Sequence, residues 1–470
     1  MGLLDRIDDW LGDGLERLLC SHHAHRLRKL GWGEVLDEPA HGWFSPHAPI
    51  RHGCRLEVLI DGEQALPAMV AAIQGARSHV YIAGWHSSPD FKPTREPGAQ
   101  PLRDLLAEVS QRVPVRVLLW AGPPVPAFQP TRARARKACE EFMRDSQVRC
   151  VLDSRERTLH CHHEKLVIVD DEVAFVGGMD FTAMEGDRHD SPQHPADRPI
   201  GWHDLTTKAH GPVVADVTRH FVRRWREVAG EDLPKVKTPG PAGDHTVQFV
   251  RTVPERTYEF APSGEFTVLD TYMRALRSAE RLVYLENQFL WSPEITEVLI
   301  GKLREPPDDR FRLVLVLPRK PSNGADTTRG QLGRLVDADD GAGRLLAVTL
   351  TSHDGDNAVP VYVHAKLGIV DDKWMTIGSA NLNEHSLFND TEANLVVTDA
   401  ALIKQTRLRL WAEHLQRSVS EVDDEPDKVI DQLWRPLAEG AQPHRIALLP
   451  GVSRRAERLE GPLRGLLVDG

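Results

Sequence analysis

A chain of 470 residues with 41% hydrophobic and 27% charged side chains has the make-up of a globular protein with room for two or more domains. No apolar run approaches the ~18 residues of a membrane span, and the N-terminus lacks the basic-then-apolar pattern of a signal peptide, so the expected location is cytoplasmic. With 58 basic and 69 acidic residues the net charge is −11, which disfavours a protein that coats nucleic acid, and the five irregularly spaced cysteines read as reduced thiols.

Residues 1–50 are expected to form a helical extension. Leu3, Leu4, Ile7, Trp10, Leu11, Leu15 and Leu18 share one face of it, opposite Asp5, Asp8, Asp9, Asp13 and Glu16. That acidic face suits packing on the protein's own body better than contact with anionic lipid. A first domain over 51–233 reads as strand Leu56–Ile60, helix Ala65–Arg77, strand Val80–Trp85, helix Pro101–Arg112, strand Val115–Trp120, helix Arg132–Arg144 and strand Val148–Leu152. Two apolar strands, Asp204–Ala209 and the helix VVADVTRHFVRRWREV close it. A linker is expected over 234–250, beginning with the breaker-rich PKVKTPGPAGD. A second domain over 251–440 repeats the order: helix Phe266–Ala279, strand Val283–Gln288, helix Pro293–Leu303, strands Leu313–Leu317 and Leu345–Leu350, two apolar strands, strand Ala393–Val397 and helix ALIKQTRLRLWAEHL. The segments 187–199 and 318–329 read as loops walling a cleft, and the tail 441–470 has no clear pattern. Strands alternating with helices indicate an α/β fold with largely buried sheets.

The repeat carries chemistry. HHEKLVIVDDEVAFVGGMD holds His163, Lys165 and Asp170, and VHAKLGIVDDKWMTIGSAN holds His364, Lys366 and Asp371 at the same spacing. A His and a Lys two apart on a strand share a face, so two such strands brought together make an anion site with a nucleophile and an acid built in. Phosphate diesters fit: the lysines neutralise charge, one His attacks phosphorus and the other protonates the departing alcohol, so no metal or other cofactor is required. Ser379, Asn381 and a backbone N–H near Gly178 are candidate phosphate ligands. Asp204 in GWHD and Glu392 in DTEAN are candidates to hold the histidines, with Asp390 a competitor for the second role. Asp170 and Asp371, at strand ends, look better placed to brace local structure. Glu286, Asn287 and Gln288 interrupt an apolar strand and are expected to support the site. Arg188 and Asp190 are candidates for shaping substrate selection, with loop solvation the alternative. Clusters His160–His163 and Cys20–His25 resemble metal ligands, but alternation splits the first across two faces and the second reads as a solvated helix end.

These paired HxKxxxxD motifs, with FVGGMD, GDRHDSPQHP, WHDL and YLENQFL in order, resemble the phospholipase D superfamily, closest to its eukaryote-type core. The resemblance implies two pseudo-twofold-related α/β/α sandwich domains sharing one active site at their interface, and a covalent phosphohistidine. By position, His163 becomes the nucleophile and His364 the general acid/base, Lys165, Lys366, Ser379 and Asn381 hold phosphate, and Asp204 and Glu392 support the histidines. The first half has Gly178 and Asp180 where the second has Ser379 and Asn381. The implied activity is hydrolysis of glycerophospholipids to phosphatidic acid and a free alcohol, with transfer to other alcohols as a side reaction. The implied partner is a phospholipid at a membrane surface, not nucleic acid, and both motifs in one chain imply a monomer. A nuclease or other phosphodiesterase on the same scaffold, a cardiolipin synthase-like phosphatidyl transferase, and an inactive lipid-binding scaffold are the alternatives.

Overall fold

Seven strands in each half repeat one pattern. The structure, a computed structural model, describes residues 3–37, 40–124, 129–156, 160–184, 186, 188–196, 201–322, 325–354, 357–440 and 444–449. In the first sheet β1 (Ile50–Ile60), β2 (Val80–Gly84), β3 (Val115–Trp120), β4 (Arg149–Asp153), β5 (Leu166–Val169), β6 (Val173–Gly177) and β7 (Leu205–His210) lie in the order β4–β3–β2–β5–β6–β7–β1. In the second, β8 (His245–Val253), β9 (Leu282–Asn287), β10 (Arg312–Val316), β11 (Leu345–Asp354), β12 (Lys366–Val370), β13 (Trp374–Gly378) and β14 (Glu392–Val397) lie in the order β11–β10–β9–β12–β13–β14–β8. Each strand number in the second order is its counterpart in the first plus seven. The first three strands of each order are parallel and the rest antiparallel.

The sheets are joined by one strand. The start of β1 pairs with β8 (Ile50 opposite Gln248), while Arg55–Ile60 pairs with β7. The register shifts between Arg51 and Cys54, where Gly53 adopts φ 75° and a side chain would meet Pro241 at 2.9 Å. The expected linker is therefore too long. The chain has no regular structure only as far as residue 244, and His245–Val253 is a strand of the second sheet. Its polar Gln248 is buried by bonding the backbone of Ser45 and Ala48, which the sequence pattern does not reveal.

Helices cover both faces of each sheet, giving the expected α/β/α layers. Leu102–Ser110 buries Leu102, Leu105, Leu106 and Val109, a helical stripe, against the outer face of the first sheet. A core shared by both sheets contains Trp225 and Trp411 from the closing helices Val214–Ala229 and Ala400–Leu415. The expected loop 318–329 is cut short by helix Ala325–Asp339, whose Gly330 and Gly333 lower its apparent propensity. Ile446–Leu448, in the patternless tail, adds an antiparallel edge strand to β11.

The N-terminal helix Leu3–Leu30 docks on the second domain. Arg26 bonds Glu255 at 2.6 Å and Asn389 at 2.8 Å, His23 meets Glu294 at 2.6 Å, and Leu27 enters the core. Most of the apolar face expected over Leu3–Leu18 lies outside the described side chains, and Leu18 is exposed. Among the described residues no helix is long and apolar enough to cross a membrane.

The terminal aspartates of the two motifs, counted with the catalytic set by their place in HxKxxxxD, bond backbone instead. Asp170 and Asp371 sit in left-handed turns (φ 61° and 54°). The Asp170 carboxylate accepts hydrogen bonds from the backbone N–H groups of Arg77, Ser78 and His79 at 2.9, 2.7 and 2.9 Å. Asp371 does the same for Glu280, Arg281 and Leu282 at 2.8, 2.8 and 2.7 Å. Each thus fastens the chain entering β2 or β9, because a short acidic side chain tolerates the turn and satisfies three donors at once. Asp371→Ala is expected to lower the unfolding free energy by about 2–4 kcal/mol in urea titration, with Asp371→Asn losing less. An unchanged denaturation midpoint in the alanine variant would refute this bracing role.

Candidate active site

The two motifs meet because each half lends backbone to the other. Trp202–His203 pairs in parallel with Tyr362–Val363, just before His364, and His162 bridges Thr391, just before Glu392. His163 N–H donates to Thr391 O at 2.9 Å and His364 N–H to His203 O at 2.8 Å. The side chains that follow are thereby exchanged. His163 Nδ1 lies 3.0 Å from Glu392 Oε1, and His364 Nδ1 lies 2.7 Å from Asp204 Oδ2. Each imidazole is oriented by a carboxylate of the opposite half, which assigns any chemistry to the Nε2 nitrogens. Glu392, not Asp390, takes the second role; Asp390 accepts the backbone N–H of Cys161 at 2.8 Å.

Each motif lysine is tied to its own strand. Lys165 Nζ donates to His163 O at 2.6 Å and lies 3.3 Å from Asp180 Oδ2. Lys366 Nζ donates to His364 O at 2.6 Å and to Gln288 Oε1 at 3.1 Å. All four motif residues are buried. Burial pushes the His364 imidazole well below its ordinary value, and the charges of Lys366, Arg188, Lys165 and His163 push the same way. Groups of both halves therefore act on one imidazole. Burial raises Asp204 to about 6 against the opposing pull of Lys366 and Arg188.

The halves differ where the sequence differs. A side chain at Gly178 would sit 2.1 Å from Asp204 Oδ1, so glycine is what lets that carboxylate approach. The equivalent Ser379 donates instead to Glu392, as does Ser386 at 2.5 Å. Ser379 is thus a clamp on the carboxylate, a role its place in GSAN did not suggest. Asn381 Nδ2 lies 3.4 Å from Gln288 Oε1, beside Lys366.

The expected trio at the end of β9 separates. Gln288 touches Lys366, Asn381 and the Tyr362 hydroxyl at 2.9 Å. Glu286 faces away from the site and binds His203 at 2.7 Å and His414 at 3.0 Å. Asn287 accepts from the backbone of Phe289 and Leu382 at 3.1 Å each, bracing a loop. Glu286 turns toward the closing helix, and Gln288 escapes the strand's alternation because it lies beyond its end. Trp202, whose only mark in the sequence is its place in GWHD, packs against His364 with ring centroids 4.2 Å apart and planes tilted by 41°, and the Arg188 guanidinium lies 3.2 Å over Trp202. Asp190 holds His194 at 2.7 Å.

The side chains of the two suspected clusters turn to different partners. His162 turns to Asp153 and Glu156, Cys161 to Asp390, and His23 to Glu294, while His22 and His25 face solvent. Among the described residues, groups with metal-ligand spacing lie outside the motif residues, the largest being Asp61, His194, His203 and Glu413. A cavity of about 1040 Å³ opens on the first domain, lined by Phe91, Lys92, Arg95, Arg134, Met184 and His189. It reaches Ser88, whose hydroxyl meets Thr182 two residues from Asp180.

Comparison with known proteins bears on this arrangement. Residues 72–201 match the family described as Phospholipase D, and residues 318–412 match "Cardiolipin synthase, PLD-like domain". The chain is similar to Phospholipase D A of Dictyostelium discoideum (24% identical, 79% of this chain and 36% of that protein). It is also similar to Phospholipase D alpha 1 of Cynara cardunculus (23%, 73% and 63%). It thus spans about one third to two thirds of the length of these relatives. In fold it resembles the crystal structure of a phosphatidylserine synthase of Haemophilus influenzae Rd KW20, with a TM-score of 0.53 at 13% identity over 83% of this chain and 95% of that one.

Because Nδ1 faces Asp204 and neighbouring cations oppose a second proton, ¹⁵N NMR of the free protein near pH ~7 should show His364 neutral with its proton on Nδ1. A fully protonated imidazolium there would contradict the electrostatics described.

Proposed function

Because the chain belongs to the phospholipase D superfamily, we propose that it is a phosphodiesterase that cleaves glycerophospholipids to phosphatidic acid and the headgroup alcohol through a phosphohistidine. His163 Nε2 attacks phosphorus, a P–N bond forms and the bond to the headgroup oxygen breaks. His364 Nε2 delivers its proton to that oxygen. Water then attacks phosphorus, gives its proton to His364, and the P–N bond breaks; an alcohol in place of water gives transfer. Lys165 and Lys366 neutralise the phosphate, Asn381 Nδ2 donates a hydrogen bond to it, and Asp204 and Glu392 hold the imidazoles.

The observation that carries this reading is the exchanged pair of carboxylates, which orients one His from each half beside two lysines in a single buried site. The anion also resolves an electrostatic problem. The empty site resists a proton on His364, whereas a diester between the lysines offsets their charge and lets the acid form. The relatives' names support a phospholipid substrate, and the stacked Trp202 and Arg188 supply an aromatic and cationic wall for a headgroup. A membrane surface at the inner leaflet would then be the working partner of a monomer.

Two sets of measurements test it, the first on variants. His163→Asn and Lys366→Ala should each cut release of headgroup from phospholipid vesicles by about 10³-fold or more with circular dichroism unchanged. A ³²P-labelled phosphoenzyme should be trapped in wild type and absent from His163→Asn. Wild-type-like turnover in either variant, or faster cleavage of oligonucleotides than of vesicles, would sink the assignment.

The second concerns pH. Asp204 and His364 share a proton at 2.7 Å, and the raised Asp204 holds an extra one up to about 6. That proton is the one the leaving group needs, so activity depending on it is lost as pH rises through this value. The alkaline limb of kcat/KM is therefore expected near pH ~6, and Asp204→Asn should displace it. A limb unchanged by that substitution would refute the coupling.

A further inference from the structure

Behind Asp204, four ligand-type side chains converge from distant parts of the chain: Asp61, His194, His203 and Glu413. Their candidate ligand atoms all lie within 4.8 Å of one another. His203 Nδ1 is 3.0 Å from Asp61 Oδ1 and 3.6 Å from Glu413 Oε1. His194 Nε2 is 3.1 Å from Glu413 Oε1 and 3.8 Å from Asp61 Oδ2. Four donors about 2.0–2.1 Å from a tetrahedral ion stand roughly 3.3–3.4 Å apart, in the middle of that range. The side chains of Asp61 and His203 are fully buried, and those of His194 and Glu413 are 1% and 5% exposed.

Two further features point to an ion. First, both imidazoles are held from behind by carboxylates: His194 Nδ1 lies 2.7 Å from Asp190 Oδ2, and His203 Nε2 lies 2.7 Å from Glu286 Oε2. A carboxylate on the far nitrogen is the arrangement that fixes a metal-binding histidine. Second, the carboxylates outnumber the cations in direct contact with them, the balance coming from the imidazoles themselves and from the field of Arg409 and Arg445. Among the described residues no Lys or Arg pairs with Asp61, Asp190, Glu286 or Glu413, although burial makes such groups costly. Asp61 Oδ2 is buried without a hydrogen bond. The comparable group Asp153, Glu156 and His162 differs in having an arginine partner, Arg224, which meets Asp153 at 2.7 Å.

We infer that Asp61, His194, His203 and Glu413 bind one divalent transition ion, with zinc the best fit. Two imidazoles and two carboxylates suit zinc and its neighbours and disfavour calcium or magnesium, which take oxygen ligands. Protein groups fill all four positions, so the site is structural and leaves no opening for substrate. The reacting groups of the neighbouring site remain metal-free. The ion lies directly behind them: Asp61 Oδ1 accepts the Asp204 N–H at 3.1 Å, and the Asp61 N–H donates to Asp204 O at 2.8 Å.

Elemental analysis of the full-length protein, purified without nickel resin or chelator, should find about one zinc per chain. The metal should persist in His364→Asn, fall at least tenfold in Asp61→Asn and His194→Gln, and leave wild type only slowly under chelation. Wild type stripped in mild denaturant and refolded with cobalt(II) should show the visible absorption of a tetrahedral cobalt centre. A wild-type protein that carries no metal, gives no cobalt band and shows no rise in Tm with zinc, cobalt or manganese would overturn the inference, as would unchanged metal content in both ligand variants. Should those variants fail to fold, the wild-type measurements alone decide.

Discussion

The arrangement depends on a reciprocal exchange of backbone between the halves. His163 takes its amide partner from Thr391 and His364 takes its own from His203, and in each case the next residue supplies the carboxylate for the imidazole. A hydrogen-bond ladder fixes position to a few tenths of an ångström, far better than contacts between loops do. Neither half holds an oriented histidine by itself. Proximity and tautomer, the two requirements of acid–base chemistry on phosphorus, are therefore met by one set of main-chain bonds.

Departures from symmetry follow from what each half must accommodate. Gly178 leaves room for Asp204, while Ser379 grips the longer Glu392. Asp180 lies against Lys165, whereas its counterpart Asn381 is neutral and shares Gln288 with Lys366. The positive field is thus stronger on the side of the second motif, and His364 is the imidazole whose proton affinity burial and nearby cations depress. One fold duplicated in sequence thereby offers two electrostatically distinct histidines, as a two-step displacement requires.

Much of this was legible in the sequence, and the failures have physical causes. The His–Lys pairs were visible because strand parity and a repeat of fixed spacing both marked them. Asp204 and Glu392 were legible as acceptors, but their crossing was not, because no local pattern encodes which strand lies beside which. Ser379 looked like a phosphate donor because a hydroxyl's partner is decided by a residue thirteen positions away. Glu286 was grouped with Gln288 by proximity, although Gln288 lies beyond the strand and Glu286 on its far face. Strand β8 was hidden behind a Pro-Gly run, and helix Ala325–Asp339 behind its own glycines. The histidines at 194 and 203 stood in quoted blocks, yet their convergence with Asp61 and Glu413 spans most of the chain and had no signal in spacing.

A single strand, β1, belongs to both sheets. Two lobes stitched through a continuous length of pleated backbone have no free hinge, since swinging them apart would tear main-chain bonds on one side of Gly53 or the other.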